Sequence, residues 1–220
     1  MNEFSDILIK IQKSEYLSRE DLKFAYNFIL DGKANDIEIE DFLIGLNNKG
    51  ITIDDIICGV EVLREKSFKV EVPVDAIDTC GTGGDNSGTF NISTAVTFVA
   101  AGAGAIVAKH GNRALSSKSG SSQVLEELGI NINIKPNKIS DCINKSNVGF
   151  MFAPNHHSAM KYVGPIRQKL KVRTIFNLLG PLINPGSVKK QLLGVYNNCL
   201  LYTSDAADER SSVDLGGRRI

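Results

Sequence analysis

The sequence lacks any apolar run approaching the roughly eighteen residues that a membrane-spanning helix needs, so no spanning helix is expected. It also lacks an excess of either charge, with 25 Lys and Arg against 25 Asp and Glu. That balance disfavours a generic nucleic-acid or membrane-surface binder, although a local basic pocket stays open. Only four cysteines occur, Cys58, Cys80, Cys142 and Cys199, and none forms a CxxC pair. Their spacing argues against a zinc site or a disulfide framework and fits a reducing, cytoplasmic setting. The first ten residues, MNEFSDILIK, mix acidic with apolar positions, which is not the basic-then-apolar pattern of a secretory signal. HExxH and GxSxG are both absent, so metalloprotease chemistry and a nucleophile-elbow serine are unsupported.

What is present changes character along the chain. In the first 65 residues an apolar i, i+3, i+4, i+7 stripe recurs four times, beginning at Phe4, Leu22, Ile39 and Ile53. Ser18-x-x-Asp21, Asn35-x-x-Glu38 and Thr52-x-x-Asp55 place capping groups where free backbone N–H groups need them. A small helical module over 1–70 is expected. From Pro73, short β-branched runs alternate with helical ones. Strands are predicted at Ala76–Cys80, Ala105–Ala108, Ile130–Ile134, Val148–Phe152 and Leu192–Tyr196. Helices are predicted through Ile92–Val99, around Val124–Leu128 and near Ile139–Ile143. Such alternation implies a mainly parallel sheet with helices on its faces, here over 74–197. Residues 198–220 show no sustained periodicity and read as a non-native tail.

Three polar clusters carry the chemistry. The first, Asp78 to Thr94, follows a predicted strand with Gly81, Gly83 and Gly84 and leads into a helix; such a turn lets backbone N–H groups approach an anion. Asp85 would repel phosphate unless a cation lies between them, which points to a magnesium-bound phosphate or to sugar hydroxyls. Neither a Rossmann GxGxxG nor a Walker Gly-Lys-Ser/Thr ending is present. The second cluster, Lys109 to Ser122, sets three cationic residues and five serines before another helix. Composition alone would also suit a solvated linker, but both loops leave the C-terminal ends of successive strands, where open α/β sheets bind ligands. The third, Asn155 to Tyr162 with Arg167, holds adjacent His156 and His157. They project about 100° apart on a helix, so capping or surface positions are expected rather than shared metal ligation.

The segments CGTGGD, NIST, KHGNRALSSKSGS, MFAPNHHSAMK, VGPIRQKL and RTIFNLLGPLINP together resemble the anthranilate phosphoribosyltransferase family, over nearly everything up to Tyr196. The resemblance implies a nucleoside-phosphorylase-like α/β domain plus a small N-terminal helical domain, helices after Arg167 that join the helical part, and a homodimer in the full-length protein. It implies a tryptophan-biosynthesis transferase of the cytoplasm. The reaction moves the phosphoribosyl group of phosphoribosyl pyrophosphate onto the amine of anthranilate, with Mg2+ as cofactor, small molecules as substrates, and no nucleic-acid or membrane partner.

Carried over by motif, Gly81, Gly84, Asp85, Thr89, Asn91, Ile92, Ser93 and Thr94 would cradle the donor, with Ser93 a magnesium ligand. Lys109, Asn112, Arg113, Ser116, Ser117 and Ser121 would complete its phosphate contacts. Gly81, Asn112 and Arg167 would meet anthranilate, Arg167 as a planar fork for its carboxylate. His110, His157 and Tyr162 would line the acceptor channel. No acid–base residue stands out.

Three departures from the family pattern affect these expectations. Ser158 replaces a common proline. Gln123 replaces a common aspartate, at the expected loss of a cap. The acidic metal pair falls beyond Tyr196, where Asp208-Glu209 stands in a different context, so this chain alone is expected to show little activity. Two rivals remain: a pyrimidine-nucleoside phosphorylase and a nucleic-acid-binding relative of the same fold. Ile53-Asp54-Asp55-Ile56 echoes the signature of type I phosphoribosyltransferases but lacks their following loop, and reads as a capped helix.

Overall fold

A computed structural model describes residues 3–81, 90–114 and 119–194. Four helices come first: α1 (Glu3–Gln12), α2 (Arg19–Leu30), α3 (Asp36–Lys49) and α4 (Ile53–Glu65). Capping boxes start the last three. Ser18, Asn35 and Thr52 side chains accept first-turn N–H groups, while Asp21, Glu38 and Asp55 reach back to the cap N–H. Asp55 is therefore a buried cap residue, as the capped-helix reading of that stretch expects. The four apolar stripes face one another. Phe4, Tyr26, Phe42 and Leu46 are fully buried, each contributing about 1.5–3 kcal/mol by leaving water. Tyr26 keeps its hydroxyl satisfied by donating to the Asp55 carbonyl at 2.9 Å.

The α/β part runs β1 (Ile77–Gly81), α5 (Ile92–Gly102), β2 (Val107–Gly111), α6 (Ser121–Glu127), α7 (Pro136–Ser146), β3 (Val148–Phe152), α8 (Ala153–His156), a 3₁₀ turn (Ser158–Lys161), α9 (Gly164–Leu170), α10 (Ile175–Leu182) and β4 (Lys190–Gly194). All strand pairs are parallel in the order β3-β2-β1-β4. The chain thus steps outward from β1 through β2 to β3, then returns to the far side of β1. Such a reversal of direction leaves a crevice at the carboxyl ends of the strands.

β1 and β2 begin one and two residues later than predicted, β4 begins two residues earlier, β3 matches, and the predicted strand at Ile130–Ile134 is absent. That segment pairs with no strand among the described residues, and Ile132 is buried against Leu125 and Phe152. Its alternation arose from packing under the sheet, not from a ladder.

The helices after Arg167 join the helical layer, as the sequence led us to expect. Val163, Ile166, Ile175, Phe176, Leu179 and Leu182 share one core with α1–α4. Close approach of α4 to α10 requires Gly59, since a Cβ there would stand 2.8 Å from Leu179 Cδ1 and 3.0 Å from Tyr26 Cζ. Polar ties reinforce the contact: Arg64 Nε and Nη2 donate to the Leu182 carbonyl at 3.0 and 2.7 Å, and Asn47 Nδ2 donates to the Arg173 carbonyl. The segment after α4 is pinned to the α/β part by a reciprocal pair. Phe68 N donates to the His156 carbonyl, and His156 Nδ1 meets the Phe68 carbonyl, both at 2.9 Å.

Candidate active site

A cavity of about 750 Å³ opens at the carboxyl ends of β1 and β2, between the sheet and the α9–α10 pair. Such a volume suits one or two small ligands. Gly81 enters from β1, and Asn91 and Ser93 from the start of α5. Lys109, His110, Asn112 and Arg113 come from β2 and the turn after it, and Ser121 from the start of α6. His157 follows α8, while Arg167, Phe176 and Asn177 come from the helical layer. The structure therefore collects the predicted ones among these residues, all but Phe176 and Asn177, around a single cavity. Gly84, Asp85, Thr89, Ser116 and Ser117 lie outside the described residues, as does everything after Gly194.

The two loops are physically joined. Asn91 precedes α5 but does not cap it; its Nδ2 donates instead to Ser119 Oγ at 2.8 Å, across from the other loop. The amino end of α5, with its positive dipole end, thus faces the cavity beside Ser93. Of the NIST segment only Asn91 and Ser93 line the cavity. Ile92 is half exposed, and Thr94 is buried under the helix, so neither is placed to touch a ligand by its side chain.

Beneath the cavity floor lies a buried polar hub. Asp78 Oδ1 accepts from His110 N at 3.1 Å, and its Oδ2 accepts from Asn184 Nδ2 at 2.9 Å and from Gln191 Nε2 at 3.4 Å. Asn184 Nδ2 also donates to the Ala108 carbonyl, so the chain after α10 is fastened to both central strands. Lys109 is nearly inaccessible. Its ammonium donates to the Thr79 carbonyl and stands 3.3 Å from Ser93 Oγ. Burial pushes the Asp78 carboxyl up and the Lys109 ammonium down, while the attraction between the two charges opposes both shifts.

His156 and His157 are not capping or surface residues; both are buried, as is His110. His110 and His157 pack edge to face with ring centroids 5.1 Å apart. Burial first, then the neighbouring imidazoles, holds His110 well below its ordinary value; burial likewise brings His157 down to about 4. Both are neutral near pH 7, presenting polarised but uncharged rings to the cavity. Tyr162 does not line it: its ring lies over Gly32 of the helical layer, with Lys161 Nζ 4.8 Å from the ring centroid.

Arg113 turns aside, pairing with Glu126 at 2.8 Å and lying over the Phe152 ring. The departure at Gln123 does not cost a cap. Its Oε1 accepts from Gly120 N at 2.7 Å and from Ala114 N at 3.2 Å, closing the turn that leads into α6. The other departure, Ser158, begins the 3₁₀ turn that follows His157.

Arg167 is the most informative residue. Its guanidinium lies over Phe176, 5.7 Å from the centroid, and donates to Asn177 Oδ1 at 3.2 Å. Burial pulls its pKa down to about 10. Among the described residues no carboxylate lies within ion-pair distance, so this is a desolvated cation facing a cavity without an anionic partner. Sequence reading missed Phe176 and Asn177. The Thr174-x-x-Asn177 spacing was the available signal, since it marks a helix start three residues after a cap.

Residues 73–212 match the glycosyl transferase family, a/b domain, and residues 5–67 match the glycosyl transferase family, helical bundle domain. Anthranilate phosphoribosyltransferase of Rhizobium etli is 51% identical over 197 residues, covering 90% of this chain and 58% of that protein. That of Xanthobacter autotrophicus is 49% identical over 196 residues, covering 89% and 57%. The crystal structure of anthranilate phosphoribosyltransferase from Thermus thermophilus aligns with a TM-score of 0.87 at 36% identity, over 94% of this chain and 63% of that one. Anthranilate phosphoribosyltransferase from Saccharomyces cerevisiae in complex with PRPP and Mg aligns with a TM-score of 0.87 at 29% identity, over 97% and 63%. The chain therefore spans less than two thirds of the length of these relatives.

Proposed function

This chain belongs to the glycosyl transferase family built of a helical bundle and an α/β domain, and from that premise we propose that it serves the transfer of phosphoribosyl from phosphoribosyl pyrophosphate to anthranilate. The observation that carries the reading is the desolvated guanidinium of Arg167, without a carboxylate partner among the described residues, in one cavity with the amino end of α5, Ser93 and Lys109. The helix end suits a diphosphate and the guanidinium an aromatic carboxylate. A pyrimidine-nucleoside phosphorylase would leave Arg167 without a partner. A nucleic-acid binder has no use for two such anion sites gathered in one small cavity.

In the reaction the donor's C1–O bond breaks and a C1–N bond to the aniline nitrogen forms. Pyrophosphate leaves with the bonding electron pair, and the amine loses one proton. The described residues contribute alignment more than proton transfer. Arg167 would fix the carboxylate and so aim the ortho amine at C1, an arrangement that lowers the entropic part of the barrier. The neutral rings of His110 and His157 exclude water without competing for that carboxylate as cations.

Among the described residues no three His, Cys, Asp or Glu side chains converge. Ser93, on the cavity lining, would offer one protein oxygen to a magnesium ion whose other ligands would be phosphate and water, which suits an ion that dehydrates reluctantly. When bound it would neutralise charge on the leaving pyrophosphate.

The division into a 1–70 helical domain, a 74–197 α/β domain and a 198–220 tail belongs to the same reading, as do a cytoplasmic location and a homodimer of the complete protein. The family matches at 5–67 and 73–212 support the boundary near residue 70. Cys58, Cys80 and Cys142 form no disulfide among the described residues, which suits a reducing compartment.

Calorimetric titration tests the proposal: the chain should bind anthranilate and, separately, phosphoribosyl pyrophosphate with magnesium. Binding of neither ligand by the folded chain would refute it.

A further inference from the structure

We infer that Asn177 is a second member of the acceptor-carboxylate site: its carbonyl oxygen sets the Arg167 guanidinium in place, and its amide N–H groups meet the ligand's carboxylate. The inference rests on the acceptor reading proposed above. Asn177 Oδ1 accepts from Thr174 N at 3.0 Å and from Arg167 Nη2 at 3.2 Å. Both partners can only donate, so the atom facing them is oxygen and the amide has one permitted orientation. Its nitrogen then lies on the opposite side. Asn177 is on the cavity wall, and among the described residues Nδ2 donates to no acceptor. An amide with its oxygen used twice and its nitrogen unused leaves two donors open. Next to an unpaired guanidinium, an acceptor-only anion completes both groups at once.

The support for Asn177 is rigid. It occupies the first turn of α10, tied to the Thr174 backbone, and the preceding residue Arg173 is held through its carbonyl by Asn47 of α3. A guanidinium already steered by such an anchor loses less freedom when a ligand arrives. Asn177 thus acts both as a positioning residue for Arg167 and as a direct donor.

A role as helix cap alone is the competing account, and Asn177→Ser separates the two. Serine keeps a hydroxyl oxygen near Thr174 N, lacks the amide donors and leaves Arg167 charged. Anthranilate titrations, read by ligand fluorescence, would compare the unaltered chain with Asn177→Ser and Arg167→Ala. Thermal midpoints and titrations with magnesium phosphoribosyl pyrophosphate serve as controls.

We expect Asn177→Ser to weaken anthranilate by about tenfold or more, with donor affinity within about twofold. If that variant fails to fold, Asn177→Thr keeps an oxygen near Thr174 N, lacks the amide donors, leaves Arg167 charged and carries the same expectation. Anthranilate affinity unchanged in the Asn177 variants but lost in Arg167→Ala would overturn the inference and leave the acceptor reading standing. Unchanged affinity in all of them, or no anthranilate binding by the unaltered chain, would overturn the acceptor reading itself.

Discussion

Replacing Arg167 by methionine should stabilise the protein while removing its acceptor site. Burial holds the guanidinium at about 10. Against an ordinary value of roughly 12.5, that gap corresponds to roughly 3 kcal/mol disfavouring the charged form in the folded state. Methionine keeps an unbranched stem against Phe176 and removes the desolvated charge. Two losses offset the gain: the hydrogen bond to Asn177, about 1 kcal/mol, and the cation–π contact with Phe176, about 0.5–1 kcal/mol. The balance is a stabilisation of about 1–2 kcal/mol, or a rise of several degrees in Tm for a chain of this size, by roughly 2–4 °C per kcal/mol. Anthranilate, by contrast, loses a charge-assisted fork worth about 1.5–3 kcal/mol, hence about tenfold or more in Kd. Urea unfolding at pH 7 and an anthranilate titration read the two effects separately. Lower stability together with unchanged affinity would refute the reasoning, because the guanidinium would then be a structural group satisfied where it stands. Higher stability with lost affinity is the signature of a charge kept for a ligand at the expense of the fold.

Acid should destabilise the fold through its buried histidines. His157 is held at about 4 against an unfolded value of roughly 6.5, so above pH 6.5 neither state binds the proton and stability is full. As pH falls from 6.5 toward 4 the unfolded chain protonates first, and this residue alone removes about 2 kcal/mol by pH 5. His110 acts in the same direction. Urea unfolding of His157→Gln should show a shallower loss between pH 7 and pH 5, and an equal slope would contradict the assignment. Gly120→Ala should strain the turn into α6, because its Cβ would meet the Ala114 nitrogen and stand 2.7 Å from Arg113 C and Asn112 O, all of them backbone atoms. A loss of about 1–3 kcal/mol is expected, with weakened donor binding by calorimetry; an unchanged thermal midpoint would mean that the turn yields freely.

The helical layer was the most legible part of the sequence. Its stripes repeat at one period, and its starts carry capping residues at fixed offsets, so the local signals and the core agree. The sheet was legible in outline, because β-branched runs alternate with helical ones. Ile130–Ile134 shows where that reading fails. Alternation reports which side chains are buried, and Ile132 is buried beneath Phe152 without its backbone entering the ladder. The histidines misled for a related reason. Adjacent polar residues before a short helix look like surface groups, but the β2 end, α8 and the residues after α4 converge on them from segments far apart in sequence.

Site chemistry was legible as residue type and less so as orientation. Lys109 and Arg113 read as cations of a phosphate-type loop and Arg167, through the family resemblance, as a fork for a carboxylate, and the fold gives them three different situations. Arg113 is neutralised by Glu126. The Lys109 ammonium joins β1 to the start of α5 through Thr79 and Ser93. Lys109 and Arg167 are both desolvated, but the Asp78 carboxylate still acts on Lys109, whereas burial alone shifts Arg167. What separates them is where the opposing groups come from: Glu126 is one helix away, Thr79 is one strand away, and Arg167 meets the Phe176 ring and the amide of Asn177, which can orient a charge but not cancel it. A cation that the fold has oriented without neutralising still needs a counter-charge, which a carboxylate ligand in the cavity would supply. The same logic explains why Asn177 could not be found from the motif that found Arg167. A positioning residue has no charge of its own to announce it, and its role exists only once α9 and α10 are brought side by side.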